Sequence, residues 1–90
     1  MQIRRNVTIV NKLGLHARAA TKLVQLANQH QSQITLTQGD NTAPADSVLA
    51  LMMLESSQGK TVEVLCDGDD AEEAMEAIVS LIQNKFDEQE

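Results

Sequence analysis

The sequence predicts a two-layer α/β sandwich, in which helices cover one face of a single sheet. Short stretches in which apolar and polar residues alternate, as in strands, are interspersed with stretches whose apolar residues recur every three or four positions, as in helices. Two of the strand-like stretches follow each other directly in the middle of the chain. The length of 90 residues, of which 42% are hydrophobic, suits one domain over residues 1–90 with one core.

The first half of the chain contains the predicted strand, helix and hairpin. Val7, Thr8 and Ile9 alternate as in a strand with one buried face, and Ile3 and Arg5 continue the odd-numbered set toward the N-terminus. Gly14 ends that strand pattern. The next apolar residues have helical spacing up to about residues 28–30: Ala17, Ala20, Leu23, Val24 and Ala27. A second strand around Ile34 and Leu36 leads into turn-forming residues 39–41. The returning strand, 41–45, contains Pro44 and therefore belongs at a sheet edge.

The second half predicts a helix, a strand and a helix. Ser47 is a suitable cap for a short helix over residues 48–54, and the following strand alternates Val62, Val64 and the predicted core residue Cys66. Asp70, followed three positions later by Glu73, resembles a capping box for a third helix over about residues 71–85. Residues 87–90 form an acidic end that should be solvated.

Composition argues against several classes of protein. The net charge of −6, together with Phe86 as the only aromatic residue, argues against a nucleic-acid partner. The longest apolar run, Val48 to Leu54, is far short of the roughly 20 residues that cross a bilayer. The N-terminus carries no pattern of a secretory signal, and a single cysteine suits a reducing cytoplasm. We therefore expect a cytoplasmic protein without membrane insertion.

His16 is the residue that best combines position and chemistry. It lies where strand-like patterning gives way to helical patterning, so that the open N–H groups of a first helical turn can bind an anion beside it. Arg18 adds a permanent charge that matches phosphate oxygens, and residues 1–22 contain no acid. These positive surroundings should keep the ring neutral and nucleophilic. A histidine here is also an ordinary helix cap, so the local pattern leaves both interpretations open.

No metal or cofactor is expected. His16 and His30 fall at opposite ends of one predicted helix, and the acidic stretch 67–72 lacks the residue positions of a calcium loop. The sequence contains neither a phosphate-binding loop nor spacing that suggests a hydrolytic triad.

The segment Gly14-Leu15-His16-Ala17-Arg18, together with Ser47 before a short apolar helix and Gly59 before a later strand, resembles the HPr family of phosphocarrier proteins from bacterial phosphotransferase systems. The resemblance covers nearly the whole chain. It implies an open-faced β-sandwich, with a four-stranded antiparallel sheet of order 1-4-2-3 and three helices on one face. Residues 11–14, 47–54 and 86–88 look most like the nitrogen-related branch. Ala19 departs from the commonest family pattern, which has proline after the arginine.

The resemblance also implies roles for individual residues. His16 would accept a phosphoryl group at Nδ1, Arg18 would pair with its charge, and the amides of Ala17 and Arg18 would hold its oxygens. Ser47 matches a position that a regulatory kinase modifies in some relatives, although a helix cap is the preferred interpretation because Asp46 would oppose an added phosphate. The apolar surface on which relatives dock partners corresponds to Leu49, Met52 and Met53, of which some alternatively pack in the core.

The predicted function is a phosphoryl relay. The chain would receive the group, derived from phosphoenolpyruvate, from phosphorylated enzyme I and pass it to a histidine of an enzyme IIA-type protein. It would act as a monomer, without a cofactor, and as a component of the relay rather than a self-sufficient enzyme. Alternatives are a sugar-branch HPr, a regulator that acts by binding with or without phosphorylation, and a small-ligand-binding regulatory domain.

Overall fold

A computed structural model describes residues 1–89. The strands of this part of the chain are β1 (Gln2–Thr8), β2 (Gln33–Gln38), β3 (Asn41–Pro44) and β4 (Thr61–Asp67). They form one sheet in the order β1-β4-β2-β3, with every neighbouring pair antiparallel. The predicted sheet is confirmed, and Pro44 lies on the edge strand β3, where its missing N–H leaves no ladder bond unmade.

Three helices cover one face of this sheet within residues 1–89. They are α1 (Ala17–Ala27), α2 (Val48–Met53) and α3 (Ala71–Gln83), followed by a 3₁₀ turn at Lys85–Asp87. The sheet directs Val62, Val64 and Cys66 inward from β4, and all three are completely buried beneath the helices. None of the helices in the described part of the chain is long and apolar enough to cross a membrane.

Cys66 is a core residue, as predicted. Its side chain is completely buried, and burial, with a smaller effect of the Asp70 charge, raises the pKa of its thiol to about 11. Since the thiolate is the reactive form of cysteine, this thiol is held in its inert state.

The predicted capping box of α3 is wrong. Asp70 makes no side-chain hydrogen bond to its own helix. Its carboxylate instead accepts bonds from the N–H groups of Gln31 and Ser32, each at 2.9 Å, and from the Ser32 hydroxyl at 2.5 Å. These bonds, led by that from the hydroxyl, lower the pKa of the Asp70 carboxyl to about 2. Asp70 therefore joins the loop after α1 to the start of α3.

The third helix also ends two residues earlier than predicted, at Gln83. Lys85, Phe86 and Asp87 all have φ between 53° and 64°, which is the left-handed region and cannot continue a right-handed helix. The chain therefore turns back toward α1 at this point.

Candidate functional site

The loop between β1 and α1 is joined by hydrogen bonds to itself and to the loop after α2, which places the start of the helix. Asn11 closes it with a side-chain hydrogen bond from Nδ2 to the carbonyl of Gly14 at 2.8 Å. Gly14 has φ +68°, and a Cβ there would lie 2.5 Å from the carbonyl oxygen of Ser56. The next residue, Leu15, donates its N–H to the same oxygen at 2.8 Å. Only glycine fits this close approach to the neighbouring loop.

His16 is the N-cap of α1, which confirms the predicted position. Its backbone is extended, with φ −85° and ψ −177°, and its carbonyl accepts the first helical bond from Ala20 at 2.8 Å. The ring nitrogen Nδ1 accepts a long hydrogen bond, 3.3 Å, from the amide of Arg18. Nδ1 thus faces the positive end of the helix dipole, where a bound anion is stabilised.

The two contacts of the His16 ring define its tautomer. Nε2 lies 2.5 Å from Oε2 of Glu88. An ionised carboxylate only accepts hydrogen bonds, so Nε2 must carry a proton. The amide of Arg18 only donates, so Nδ1 must offer its lone pair. Nδ1 is consequently the nucleophilic atom of the ring.

Glu88 was predicted to be part of a solvated tail, and that prediction is wrong. Its side chain is 11% exposed, accepts a bond from Asn11 Nδ2 at 2.9 Å and lies 3.8 Å from Nε of Arg18. Burial acts to raise the pKa of the Glu88 carboxyl, but the bonds from Asn11 and His16 and the charges of His16 and Arg18 lower it overall. Glu90 of the same predicted tail lies outside the described residues.

The sequence suggested uniformly positive surroundings for His16, and that prediction is wrong. Glu88 contacts the ring directly, and Lys22 of the basic segment pairs with Asp87 at 3.4 Å. Both acids lie more than 60 positions from their partners along the chain, so the charges near His16 in the sequence do not include them. The ring therefore has a carboxylate at Nε2 and the positive end of the helix dipole at Nδ1.

The turn that carries Glu88 is strained and well anchored. Left-handed φ values at Lys85, Phe86 and Asp87 cost about 1–3 kcal/mol each for residues with a side chain. Phe86 is completely buried, which offsets up to about 3 kcal/mol of that cost. The amides of Asp87 and Glu88 also bond to preceding carbonyls at 3.0 and 2.9 Å. The fold thus holds a costly conformation that places Glu88 against His16.

The segment formed by α2 and its cap bears on two sequence predictions, the role of Ser47 and the exposure of the apolar residues. The Ser47 hydroxyl accepts the amide of Ala50 at 3.1 Å, so Ser47 is the predicted helix cap. Its regulatory phosphorylation stays a prediction. Leu49 and Met53 are exposed by 70% and 72%, and Met52 by 38%, so none of the three is enclosed in the core.

Sequence reasoning missed three residues near His16. Leu13 is an exposed apolar residue that lines a shallow cavity together with His16 and Ser56. The other two are Asn11 and Glu88. Asn11 stood in a motif of the sequence, but only its complete burial distinguishes it from an ordinary loop residue.

Within residues 1–89, no group of three or more His, Cys, Asp or Glu side chains comes together in a way that could hold a metal ion. His16 and His30 lie at opposite ends of α1, as expected from the sequence. What the site offers is a nucleophilic nitrogen, amide donors at a helix N-terminus and the guanidinium of Arg18.

Comparisons with known proteins agree on one class. The family described as "PTS HPr component phosphorylation site" matches residues 3–84. The phosphocarrier protein NPr of Shewanella violacea is 54% identical, over 97% of this chain and 96% of that protein. NPr of Escherichia coli is 42% identical, over 98% and 99%. A crystal structure of HPr from Thermoanaerobacter tengcongensis has a TM-score of 0.92 at 41% identity, covering 98% and 99% of the two chains.

The fold and the sequence are thus those of phosphocarrier proteins. The chain belongs to the HPr family of the phosphotransferase system. Its open sandwich, with sheet order 1-4-2-3, is the fold that the resemblance implied.

Proposed function

We propose that the chain carries a phosphoryl group on Nδ1 of His16, between a phosphorylated enzyme I-type donor and a histidine of an enzyme IIA-type acceptor. The observation that carries this proposal is the orientation of the ring. Its Nδ1 lone pair faces the N-terminus of α1, while Nε2 is engaged by Glu88. The nucleophilic atom and the groups that stabilise an anion are therefore adjacent.

The chemistry asked of this chain is mainly positioning and charge neutralisation. Phosphoryl transfer passes through a state in which negative charge is spread over the phosphoryl oxygens. The amides of Ala17 and Arg18 lie in the first turn of α1, and that of Arg18 contacts Nδ1. The Arg18 side chain is 68% exposed, with Nε 3.8 Å from the Glu88 carboxylate, so its charge lies at the same site. The donor and acceptor supply the remaining groups, which makes this protein a relay component rather than a self-sufficient enzyme.

We assign the relay to the nitrogen-related branch. The Shewanella violacea relative named NPr is 54% identical, whereas a relative named HPr, from Cupriavidus necator, is 46% identical. Residues 11–14, 47–54 and 86–88 carry the branch-like motifs. The structure gives two of these motifs a shared location, because Asn11 and Glu88 are joined by a hydrogen bond.

Partners would dock on an apolar surface formed by Leu49, Met52 and Met53, extended by Leu13. All four are exposed, and methionine side chains adapt to more than one partner. The loop after α2, residues 55–57, lines a cavity together with His16 and so connects this surface with the reacting atom. Lys12, Arg18 and Lys22 would steer acidic partners toward it.

We further propose that the protein acts as a monomer in the cytoplasm. The cytoplasmic location suits a single, buried and unreactive cysteine. An HPr dimer is known from Thermoanaerobacter tengcongensis, with a TM-score of 0.77 at 44% identity, so sedimentation of the phosphorylated and unphosphorylated forms is the measurement that checks this point.

The proposed function is tested by incubating the protein with phosphoenolpyruvate and purified enzyme I of either branch. Phosphohistidine is labile in acid and stable in base, so the expected product shows that pattern, with faster labelling by the nitrogen-branch donor. Transfer onward to a IIA-type protein should then discharge it. Absence of labelling by both donors would contradict the relay, and partner binding that ignores phosphorylation would favour a regulator that acts by binding.

A further inference from the structure

We infer that Glu88 is a positioning residue for phosphoryl transfer, which fixes Nδ1 of His16 as the accepting atom and balances the charge that the ring acquires. This inference rests on the proposed function of His16. It assigns a role to a side chain that lies 72 positions away in the sequence and contacts the ring at 2.5 Å.

The first part of the role follows from proton placement. A neutral imidazole carries one proton, on either Nδ1 or Nε2, and only the unprotonated nitrogen can attack phosphorus. The Glu88 carboxylate accepts from Nε2 and thereby selects the tautomer with a lone pair at Nδ1. The amide of Arg18 selects the same tautomer from the other side of the ring.

The second part follows from the electron balance of the transfer step. The lone pair of Nδ1 forms the new N–P bond, while the P–N bond of the donor phosphohistidine breaks and its electron pair returns to the donor ring. The His16 ring keeps its proton on Nε2 and becomes a positively charged phosphoimidazolium. The Glu88 carboxylate already lies against that N–H, so the new charge has a partner without rearrangement. Transfer to the acceptor reverses each of these steps.

The position of Glu88 is built into the fold. Asn11 is completely buried, and Nδ2 donates both to Gly14 and to Glu88. Both partners are acceptors, so the amide group must face them, which leaves its Oδ1 buried without a hydrogen-bond partner in residues 1–89. The strained turn that carries Glu88 is anchored by the buried Phe86. The two segments that hold this carboxylate thus each retain an unfavourable feature. Asn11 has a buried amide oxygen without a partner in residues 1–89, and residues 85–87 have left-handed backbone.

The charged residues around His16 and Glu88 allow an effect of Glu88 to be distinguished from a general effect of negative charge. Arg18 approaches the carboxylate at 3.8 Å and Lys22 is paired with Asp87. Within residues 1–89, Glu88 is the acid that contacts the His16 ring, whereas the neighbouring Asp87 points to Lys22. Asp87 therefore offers a matched control, because it carries the same charge in the same turn without touching His16.

The test compares Glu88→Gln with Asp87→Asn, each of which removes one negative charge and leaves nearly the same shape. In Glu88→Gln, an amide oxygen that keeps the bond from Asn11 turns its NH₂ group toward His16 Nε2, which then favours a lone pair there. The ¹⁵N shifts of the His16 ring, measured in alkaline buffer, should show one tautomer protonated at Nε2 in the wild type and in Asp87→Asn. They should show a mixture of tautomers in Glu88→Gln.

Rapid-quench transfer from the phosphorylated donor supplies the second measurement. Glu88→Gln should slow transfer about 10-fold to 100-fold, the range known for carboxylates that orient metal-ligating histidines, with donor affinity unchanged. Asp87→Asn should transfer within about twofold of the wild-type rate. An unchanged tautomer or an unchanged rate in Glu88→Gln would overturn the inference, as would an equal loss in Asp87→Asn.

A small phosphoryl donor separates this inference from the proposed relay. Phosphoramidate should label the wild type at Nδ1 and Glu88→Gln at both ring nitrogens, which ³¹P and ¹⁵N spectra distinguish. If the donor protein fails to label the wild type, the proposed function is wrong, while the tautomer and the site of phosphoramidate labelling still decide the role of Glu88 at the ring. Labelling of both proteins at the same single nitrogen would overturn that role.

Discussion

The two ends of α1 each carry a histidine beside a carboxylate, but the two pairs are built differently. At the start of the helix, His16 Nε2 lies 2.5 Å from Glu88, whose other oxygen is held by a buried amide side chain. At the far end, His30 Nδ1 lies 3.4 Å from Asp70, which is already occupied by two backbone amides and a hydroxyl.

This difference shows that a histidine–carboxylate pair does not by itself make a site. Asp70 is engaged in joining two loops, and His30 adds one more, longer contact. The His16 ring has a nitrogen directed at the positive end of the helix, whereas His30 lies beyond the negative end, which repels an anion. Under the proposed function, the direction of the helix therefore suits the His16 pair to phosphoryl chemistry and leaves the His30 pair a structural role.

Replacing each histidine is the strongest way to break the comparison. His16→Ala should abolish phosphoryl acceptance with the fold intact, because loss of a helix cap costs only about 1 kcal/mol. His30→Ala should accept phosphate at the wild-type rate. Acid-labile phosphate is measured on both variants, with circular dichroism as the check of folding. Acid-labile phosphate on His16→Ala would place the acceptor elsewhere.

The next largest effect is expected for Arg18→Ala. Arg18 lies in the first turn of α1, beside His16 and far from His30. Losing its charge-assisted bonds to phosphate should slow transfer about 10-fold to 100-fold, equivalent to about 1.5–3 kcal/mol. Donor affinity, measured separately by titration, should change less than the rapid-quench rate. Arg18→Lys should recover part of the rate, because a point charge lacks the bidentate fork. An unchanged rate in Arg18→Ala would remove Arg18 from the mechanism.

If partners dock beside the His16 end of α1, the substitution Met52→Glu should weaken their binding. Burying an unpaired carboxylate should weaken binding to donor and acceptor by about 1–3 kcal/mol, with little change in the melting temperature. Gln29→Glu adds the same charge at an exposed position near the His30 end and should bind both partners normally. Titration of each labelled variant checks this. Normal affinity of Met52→Glu for both partners would place the docking surface elsewhere.

The sequence predicted the frame of the molecule better than the details of its site. Alternation and helical spacing identified the strands and helices, and His16 was found because a change of pattern marks a helix start. The sheet order came from family resemblance, since alternation specifies faces but not neighbours. Glu88 was missed because its position depends on three consecutive left-handed residues without glycine, which no local propensity predicts. Asp70 was misassigned because a sequence-local cap was assumed where distant amides compete for the carboxylate.

Asp70→Asn tests the structural role of the His30 end of α1, because it should change the stability of the protein and not its phosphoryl transfer. The amide would present a donor to groups that are themselves donors, so the variant should melt at a lower temperature at pH 7 while accepting phosphate normally. The pKa of Asp70 is lowered from 3.8 to about 2 by folding, so its stabilisation is complete above the unfolded value and is lost as the pH falls toward 2. The difference in melting temperature between the two proteins should therefore shrink between about pH 4 and pH 2. A constant difference across that range would show that the charge of Asp70 is not the cause.

The smallest effect concerns proline at the two ends of α1. Ala19 is the third residue of the helix, where the N–H has no intrahelical acceptor, so Ala19→Pro loses no helical bond and restricts the unfolded chain. It should stabilise the protein by about 0.5 kcal/mol and leave phosphoryl transfer unchanged, since His16 and its amide partner at Arg18 are retained. Ala27→Pro, at the last residue of the same helix, should instead cost about 3 kcal/mol, because an N–H there is bonded within the helix. Urea unfolding of both variants measures the two effects. Ala19 is completely buried, so a loss of more than about 1 kcal/mol in Ala19→Pro would mean that the added ring atoms overpack the core and that the N-terminal turn is less permissive than its hydrogen bonding indicates.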